Sequence, residues 1–160
     1  MYGEKTKKHK KIILFTDGGS KGNPGPAGIG ILIFNKDGKL IKEVSEFIGK
    51  TTNNVAEYTA LLRGLELSKE FNADKIEIKC DSKLMVNQLK KKWKVKSPNL
   101  KPLYQKVRLL LSAYRKVNLI HVPRSIIKAA DKLVNKAINS SLDKDVEVHF
   151  VEEETESTLF

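Results

Sequence analysis

Residues 11–34, KIILFTDGGSKGNPGPAGIGILIF, most constrain what this chain can fold into. Two apolar runs, each strand-length and rich in Ile and Leu, flank a stretch of Gly, Pro, Ser and Lys that no helix can use. Strand one is KIILFT, closed by Asp17, and strand two covers residues 28–34. NKDG (35–38) then carries the Asp-Gly hairpin signal into a third strand near 39–48. Strands joined by such short turns pair antiparallel. After them the pattern changes. TTNN (51–54) marks a helix start, and Val55, Tyr58, Leu62 and Leu65 repeat at helical spacing out to about Phe71. DKIEIKCD (74–81) alternates as a strand and ends on Asp81, a helix follows over 82–91, and KSPNLKP (96–102) is a loop. A helix over 103–115, a strand over 117–122 stopped by Pro123, and a helix over 126–139 with Ile127, Ala130, Leu133, Val134 and Ala137 inward complete the pattern. VEVHFV (146–151) alternates as one further short strand.

Hairpin strands followed by strand–helix units give an α/β fold. It is a mixed sheet, antiparallel for its first three strands and parallel thereafter, with helices packed on it. At 160 residues this is one domain with tails: a basic arm (1–10), a central domain (11–140) and an acidic tail (141–160). The charge is uneven. The formal net charge is +11, yet residues 141–160 hold seven acids against Lys144, which leaves +17 on the first 140 residues. Lysines cluster at Lys5, Lys7, Lys8, Lys10 and Lys11, and again at Lys90, Lys91, Lys92, Lys94 and Lys96. Such clusters are either a solvated surface or the footprint of a polyanion partner. The single cysteine, Cys80, excludes an internal disulfide and a thiolate zinc cluster. With no leader and no apolar run of membrane length, the expectation is a cytoplasmic protein without a membrane partner. GSKGNPG lacks the Gly-Lys-Ser/Thr ending of a phosphate-binding loop.

Four carboxylates carry the chemistry. Each has an ordinary explanation: Asp17 starts a turn before Gly18-Gly19, Glu57 closes a capping box with Asn54, Asp81 caps the helix from Ser82, and Asp131 meets a helix dipole. Together they share a direction. Asp17 and Asp81 end neighbouring strands, and ligands gather at the carboxyl ends of parallel strands. Glu57 and Asp131 open helices that pack on the same sheet. Carboxylates so gathered repel one another unless a cation joins them. With oxygen ligands alone, that cation is Mg²⁺ or Mn²⁺ rather than zinc. Carboxylates within a basic surface suit two-metal phosphoryl transfer, with ions about 3.5–4 Å apart.

At FTDGGSKGNPGPAGIG, TTNNVAEYTALLRGL, IKCDSKLMVNQL and HVPR…AADKLVNKA the chain resembles the ribonuclease H type 1 family, over roughly residues 11–140. The resemblance implies a five-stranded mixed sheet with helices on both faces, and Mg²⁺-dependent endonucleolytic cleavage of the RNA strand of an RNA/DNA hybrid, leaving 5′-phosphate and 3′-hydroxyl ends. It implies two Mg²⁺ ions, with Mn²⁺ as a substitute, held by Asp17, Glu57, Asp81 and Asp131. By the same analogy Asp17 bridges the two ions, Glu57 and Asp81 hold the product-side ion, and Asp131 helps hold the ion that activates water. Gly18, Gly19, Ser20, Gly22, Asn23, Asn53 and Asn54 match substrate-facing positions, where main chain and amides meet 2′-hydroxyls and the minor groove, and Thr52 matches a DNA-phosphate contact. The form is compact and handle-less, like archaeal and some bacterial members, and the expected state is a monomer. Double-stranded RNA is a further expected partner. KKKWKVKSPNLKP is too short for the basic protrusion of other members, so Trp93 either touches DNA or packs on the core. Many members carry a histidine in the loop before the last carboxylate helix; PRSIIKAA has none, and His121 reads as structural. Ile127 stands where the family often has Asn. The competing reading is a non-catalytic protein that binds hybrid or double-stranded RNA on the same fold. Intact carboxylates facing phosphates argue against it.

Overall fold

The computed structural model describes residues 9–155, with side chains through residue 141. Five strands, β1 (Lys11–Ser20), β2 (Gly25–Asn35), β3 (Leu40–Thr51), β4 (Lys75–Cys80) and β5 (Lys116–His121), form one sheet in the order β3-β2-β1-β4-β5. β1–β2 and β2–β3 are antiparallel, while β1–β4 and β4–β5 are parallel. The switch follows from the connections. Short turns join the first three strands, whereas helices carry the chain between the parallel ones. Four helices are described: α1 (Asn53–Ser68), α2 (Lys83–Leu89), α3 (Lys101–Leu111) and α4 (Lys128–Thr155). A single 3₁₀ turn, Lys69–Phe71, ends the α1 segment.

Both faces of the sheet are covered. Ile12 and Leu14 of β1, Ile29, Ile31 and Ile33 of β2, and Ile76, Ile78 and Cys80 of β4 point to one face and join Tyr58, Leu61, Met85, Val86 and Val107 from α1, α2 and α3 in one buried cluster. On the other face Leu32 meets Val122, Ile127, Ala130 and Leu133 beneath α4. Ile127, expected near the site in place of a polar residue, is fully buried in that second core.

Three sequence expectations need correction. The Gly/Pro segment is mostly strand: β1 continues through Asp17 to Ser20 and β2 begins at Gly25, so the turn is only residues 21–24, with a cis Asn23–Pro24 bond. Its glycines serve helix approach as well as turning. A side chain at Gly18 would lie 2.2 Å from the Ala56 carbonyl of α1, and one at Gly30 would lie 2.1 Å from the Ala130 carbonyl of α4. Residues 146–151 are helical, within α4, and not a strand. A strand there would need a sheet edge to pair its backbone, whereas a continuing helix pairs its own N–H and C=O groups. His121, expected to be structural, ends β5 with its side chain exposed.

Of the basic arm (1–10), residues 1–8 lie outside the described residues, which leaves His9 and Lys10. His9 donates its N–H to Phe71 and stacks edge-on against that ring, while the Lys10 carbonyl accepts from Lys75. No helix of the described residues is long and apolar enough to cross a membrane.

Candidate active site

Asp17 comes from the carboxyl half of β1, Asp81 follows the last residue of the neighbouring parallel strand, and Glu57 lies in the second turn of α1. One carboxylate oxygen from each lies within 4.8 Å of the other two. Local structure frees each from its ordinary role. Thr52, not Asn54, caps α1, its hydroxyl accepting from Val55 N–H at 3.2 Å. That leaves Glu57 Oε1 to accept from Gly18 N–H at 3.1 Å, which aims it at the end of β1. Ser82 caps α2 by accepting from Met85 N–H at 3.2 Å, so Asp81 is not the cap. Asp131 lies in the first turn of α4, as expected, close enough to the Asp17 carboxyl to push its pKa up. It therefore borders the three-carboxylate cluster from the other side of the sheet.

Asp17 and Glu57 are only 3% and 6% exposed. Burial pushes the Asp17 carboxyl up to about 8, reinforced by the charge of Asp81, by its hydrogen bond to Asp131, and by the charge of Asp131. Burial likewise pushes Glu57 well above the usual range, with the charges of Asp17 and Asp81 adding and the Gly18 N–H partly opposing. The cost has one physical cause: several like charges share a pocket shielded from water. Arg124 partly offsets it, its Nε lying 3.6 Å from Asp81 Oδ2 and its charge lowering both Asp17 and Glu57. Its role was not read from the sequence, although it stands in the HVPR block; nothing in a linear pattern shows which way an exposed arginine faces.

The substrate-facing candidates form one rim beside the carboxylates. Ser20 N–H donates to Asn53 Oδ1 at 3.3 Å, and Asn53 N–H donates to Asn23 Oδ1 at 2.9 Å, so the β1–β2 turn is laced to the start of α1. Gly22 turns the chain at φ +91°, and Asn23, Asn53 and Asn54 are exposed. Lys21 Nζ donates to Asn139 Oδ1 at 2.6 Å, which ties the same turn to α4. Gly18 is buried with its N–H taken by Glu57, and Gly19 is half-buried. The Ser20 hydroxyl is buried without a hydrogen-bond partner among the described residues, an unmet polar group within the rim. Trp93 stands apart from this rim, 45% exposed among lysines, and does not pack into the core.

The family described as reverse transcriptase-like matches residues 15–137. The chain is 37% identical to a ribonuclease HI of Halobacterium salinarum over 131 residues, 82% of this chain and 66% of that one. The solved ribonuclease H1 from the same archaeon superposes with a TM-score of 0.78 over 81% of this chain and 98% of that one, at 38% identity. The chain belongs to the ribonuclease H family. A ribonuclease H1 isolated from compost, solved in complex with RNA/DNA hybrid, is 43% identical with a TM-score of 0.77, over 82% of this chain and 99% of that one. A bifunctional protein of Mycobacterium tuberculosis is 41% identical over 132 residues, 82% of this chain. This ribonuclease H chain spans about a third of that relative's length, 36% of it. The donor set fits the metal dependence of the family. Three carboxylates converge, two of them buried and pushed upward in pKa by that burial and by one another, and they offer a hard divalent cation only oxygen.

Proposed function

We propose that this chain is a metal-dependent endoribonuclease that hydrolyses the RNA strand of RNA/DNA hybrids and leaves 5′-phosphate and 3′-hydroxyl ends. The observation that carries the proposal is the cluster itself. Asp17, Glu57 and Asp81 meet within 4.8 Å at the end of β1, beside Asp131, on a protein of net charge +11. Repulsion of this size is retained in a fold only where a cation or a reaction uses it. Residues 11–140 form the catalytic domain, between the basic arm and the acidic tail. All four carboxylates come from one chain, so a monomer suffices. A single cysteine, buried and with its thiol pushed up to about 12 by burial, suits a reducing cytoplasm.

Asp17, Glu57, Asp81 and Asp131 hold the divalent cations, two Mg²⁺ or Mn²⁺. When bound, these ions lower the pKa of the attacking water and neutralise charge on the phosphate and the departing 3′-oxygen. The chain's own residues prepare the site. Gly18 N–H fixes the Glu57 carboxylate, and the Thr52 and Ser82 caps leave Glu57 and Asp81 free of helix termini. Asn23, Asn53 and Asn54, with main chain from Gly19 to Gly22, bind the RNA strand through the minor groove, where 2′-hydroxyls distinguish it from DNA. Arg124, ion-paired with Asp81, meets the incoming phosphate.

The test is cleavage of 5′-labelled RNA paired with DNA, with RNA/RNA and DNA/DNA duplexes beside it, in Mg²⁺, Mn²⁺ or EDTA. Metal-dependent cutting of the hybrid, reduced about 10³-fold or more by Asp17→Asn, is the expected result. Cutting of RNA/RNA as well widens the substrate class to double-stranded RNA. Salt-sensitive binding without cutting under any metal would replace this reading with the non-catalytic one.

A further inference from the structure

On its second face the sheet is covered unevenly. α4 packs over β2, β3 and β1, which leaves a strip of β4 and β5 beside it. Ile12, Leu14, Ile76, Ile78 and Leu119 point to the first core, so the alternate residues of β1, β4 and β5 face this strip. In register across the three strands stand Lys11, Lys75 and Lys116, then Ile13, Glu77 and Asn118, then Phe15, Lys79 and Ile120. The first row is three lysines side by side, with about 4.8 Å from strand to strand. Like charges at facing register positions cost stability.

One acid answers this row, and it is shared. Glu77 Oε1 lies 3.2 Å from Lys11 Nζ, and its Oε2 lies 3.3 Å from Lys79 Nζ. Lys75 and Lys116 have no ion pair among the described residues. Lysine on an edge strand keeps other strands from pairing there, which accounts for Lys116 on β5. It does not account for Lys75 or Lys11, because β4 and β1 lie inside the sheet. Between these side chains is a cleft of about 150 Å³, lined by Lys11, Lys75, Ile76, Glu77, Lys116 and Asn118. A water takes about 30 Å³ of liquid, so the cleft admits a phosphate group together with water. Both Glu77 oxygens are already matched by lysines, and the exposed Asn118 adds an amide donor at the rim.

We propose that Lys11, Lys75 and Lys116 form a second anion site, a shelf that holds the phosphates of a single nucleic-acid strand running on from the hybrid. The inference rests on the hybrid-cleaving function proposed above. Lys75 opens β4 and Asp81 follows its last residue, a separation of about 20 Å at 3.3 Å per residue. Cations mark the way between them: Arg124 beside Asp81, then Lys79, then the lysine row. The strip is two strands wide, about 10 Å, and α4 walls it on one side. It therefore suits one strand and excludes a duplex. Lysines hold phosphates without reading sequence, so the shelf selects for a single-stranded extension and not for its bases.

Binding is titrated in EDTA over a range of salt, with blunt RNA/DNA hybrid and with the same hybrid carrying a DNA overhang of about ten nucleotides at one end or the other. The wild type should bind one overhang form about 5–10-fold more tightly than the blunt form, with a salt slope steeper by about 0.7 for each phosphate held. Lys75→Gln/Lys116→Gln should bring that ratio to about one and melt no lower than the wild type, since it relieves repulsion within the row. Lys69→Gln/Lys106→Gln removes the same charge from exposed positions elsewhere and should leave the ratio unchanged. No gain from either overhang, or an equal gain in the wild type and in Lys75→Gln/Lys116→Gln, overturns the shelf. An equal loss in the Lys69 and Lys106 control assigns the gain to net charge and overturns it too. A gain abolished by millimolar inorganic phosphate at constant ionic strength would make the cleft a free-phosphate site and overturn the strand. Cleavage is measured separately in Mg²⁺. Failure of the wild type to cut, by contrast, overturns the proposed function alone, because the titrations contain no divalent cation.

Discussion

On the α1 face of the sheet, a continuous cluster from Ile12 to Leu119 draws buried residues from four strands and three helices. On the α4 face only Leu32, Val122, Ile127, Ala130 and Leu133 form the buried cluster. Both faces nevertheless deliver a carboxylate to the same strand end, Glu57 from one and Asp131 from the other. The large face holds its helix chiefly by apolar area, with one close backbone seat at Gly18 by the end of β1. The small face compensates by closeness: Gly28 and Gly30 let the α4 backbone lie where a side chain would meet Val134 O at 2.9 Å and Ala130 O at 2.1 Å. A helix held by close backbone seating is more easily displaced by one methyl than a helix held by side chains that can shift.

The most damaging test of this contrast is Gly30→Ala. The added methyl meets backbone, which cannot turn aside, so the variant should lose about 3 kcal/mol in denaturant unfolding. Its hybrid cleavage should fall further than stability alone explains, because α4 carries Asp131. An unchanged unfolding midpoint would show that α4 is not seated as described.

The next effect separates the shared strand end from both faces. In metal-free protein, Asp17 takes up its proton near pH 8 when folded and near 3.8 when unfolded. Between these values the folded state binds more protons, so this contribution is present in full below about pH 4 and is lost as pH rises through about 8. Thermal melts in EDTA should therefore fall by about 5 °C or more from pH 5 to pH 8.5, and Asp17→Asn should flatten that slope. A parallel decline in the variant would assign the loss elsewhere.

Gly64→Ala probes the large face. There the methyl meets only Leu14 and Thr16 side-chain atoms at 3.1–3.4 Å, and alanine gains helix propensity. The expected change is within about 1 kcal/mol of either sign. A loss as large as that of Gly30→Ala would erase the contrast between the faces. The smallest stability effect belongs to Arg124→Ala. Arg124 is 74% exposed, so its removal should change unfolding by less than about 0.5 kcal/mol. Hybrid cleavage should still fall several-fold, since its charge reaches both Asp17 and Glu57. Equal activity would confine Arg124 to the surface.

Particular residues show how much of this was legible beforehand. Alternation in Lys75–Cys80 named a strand buried on one face, and the spacing of Ile127, Ala130, Leu133, Val134 and Ala137 named the buried stripe of α4; all five are buried. The same period-two rule misled at Val146, Val148 and Phe150, because alternation cannot reveal whether a sheet edge is there to pair with. Asn54 and Glu57 matched a capping box by spacing, yet Thr52 took the cap and released Glu57 to Gly18. Gln88 carried no signal at all. Its partners are 30 residues back at Tyr58 and six ahead at Lys94, a pairing that only the packed chain creates.

The sequence by itself determined the order and type of the strands and helices over residues 11–139, the change from antiparallel to parallel pairing, and the four acids near the ends of those elements. These follow from local periodicity, turn chemistry and connection length, which act over a few residues. Tertiary structure alone decided that Gly18 and Gly30 admit helices, that Glu57 is aimed by a main-chain N–H, and that Arg124 faces the acids. It also raised the Asp17 carboxyl far above its ordinary range. Burial and electrostatic repulsion depend on distances between residues far apart in the chain, and those distances exist only once the two faces have closed on the sheet.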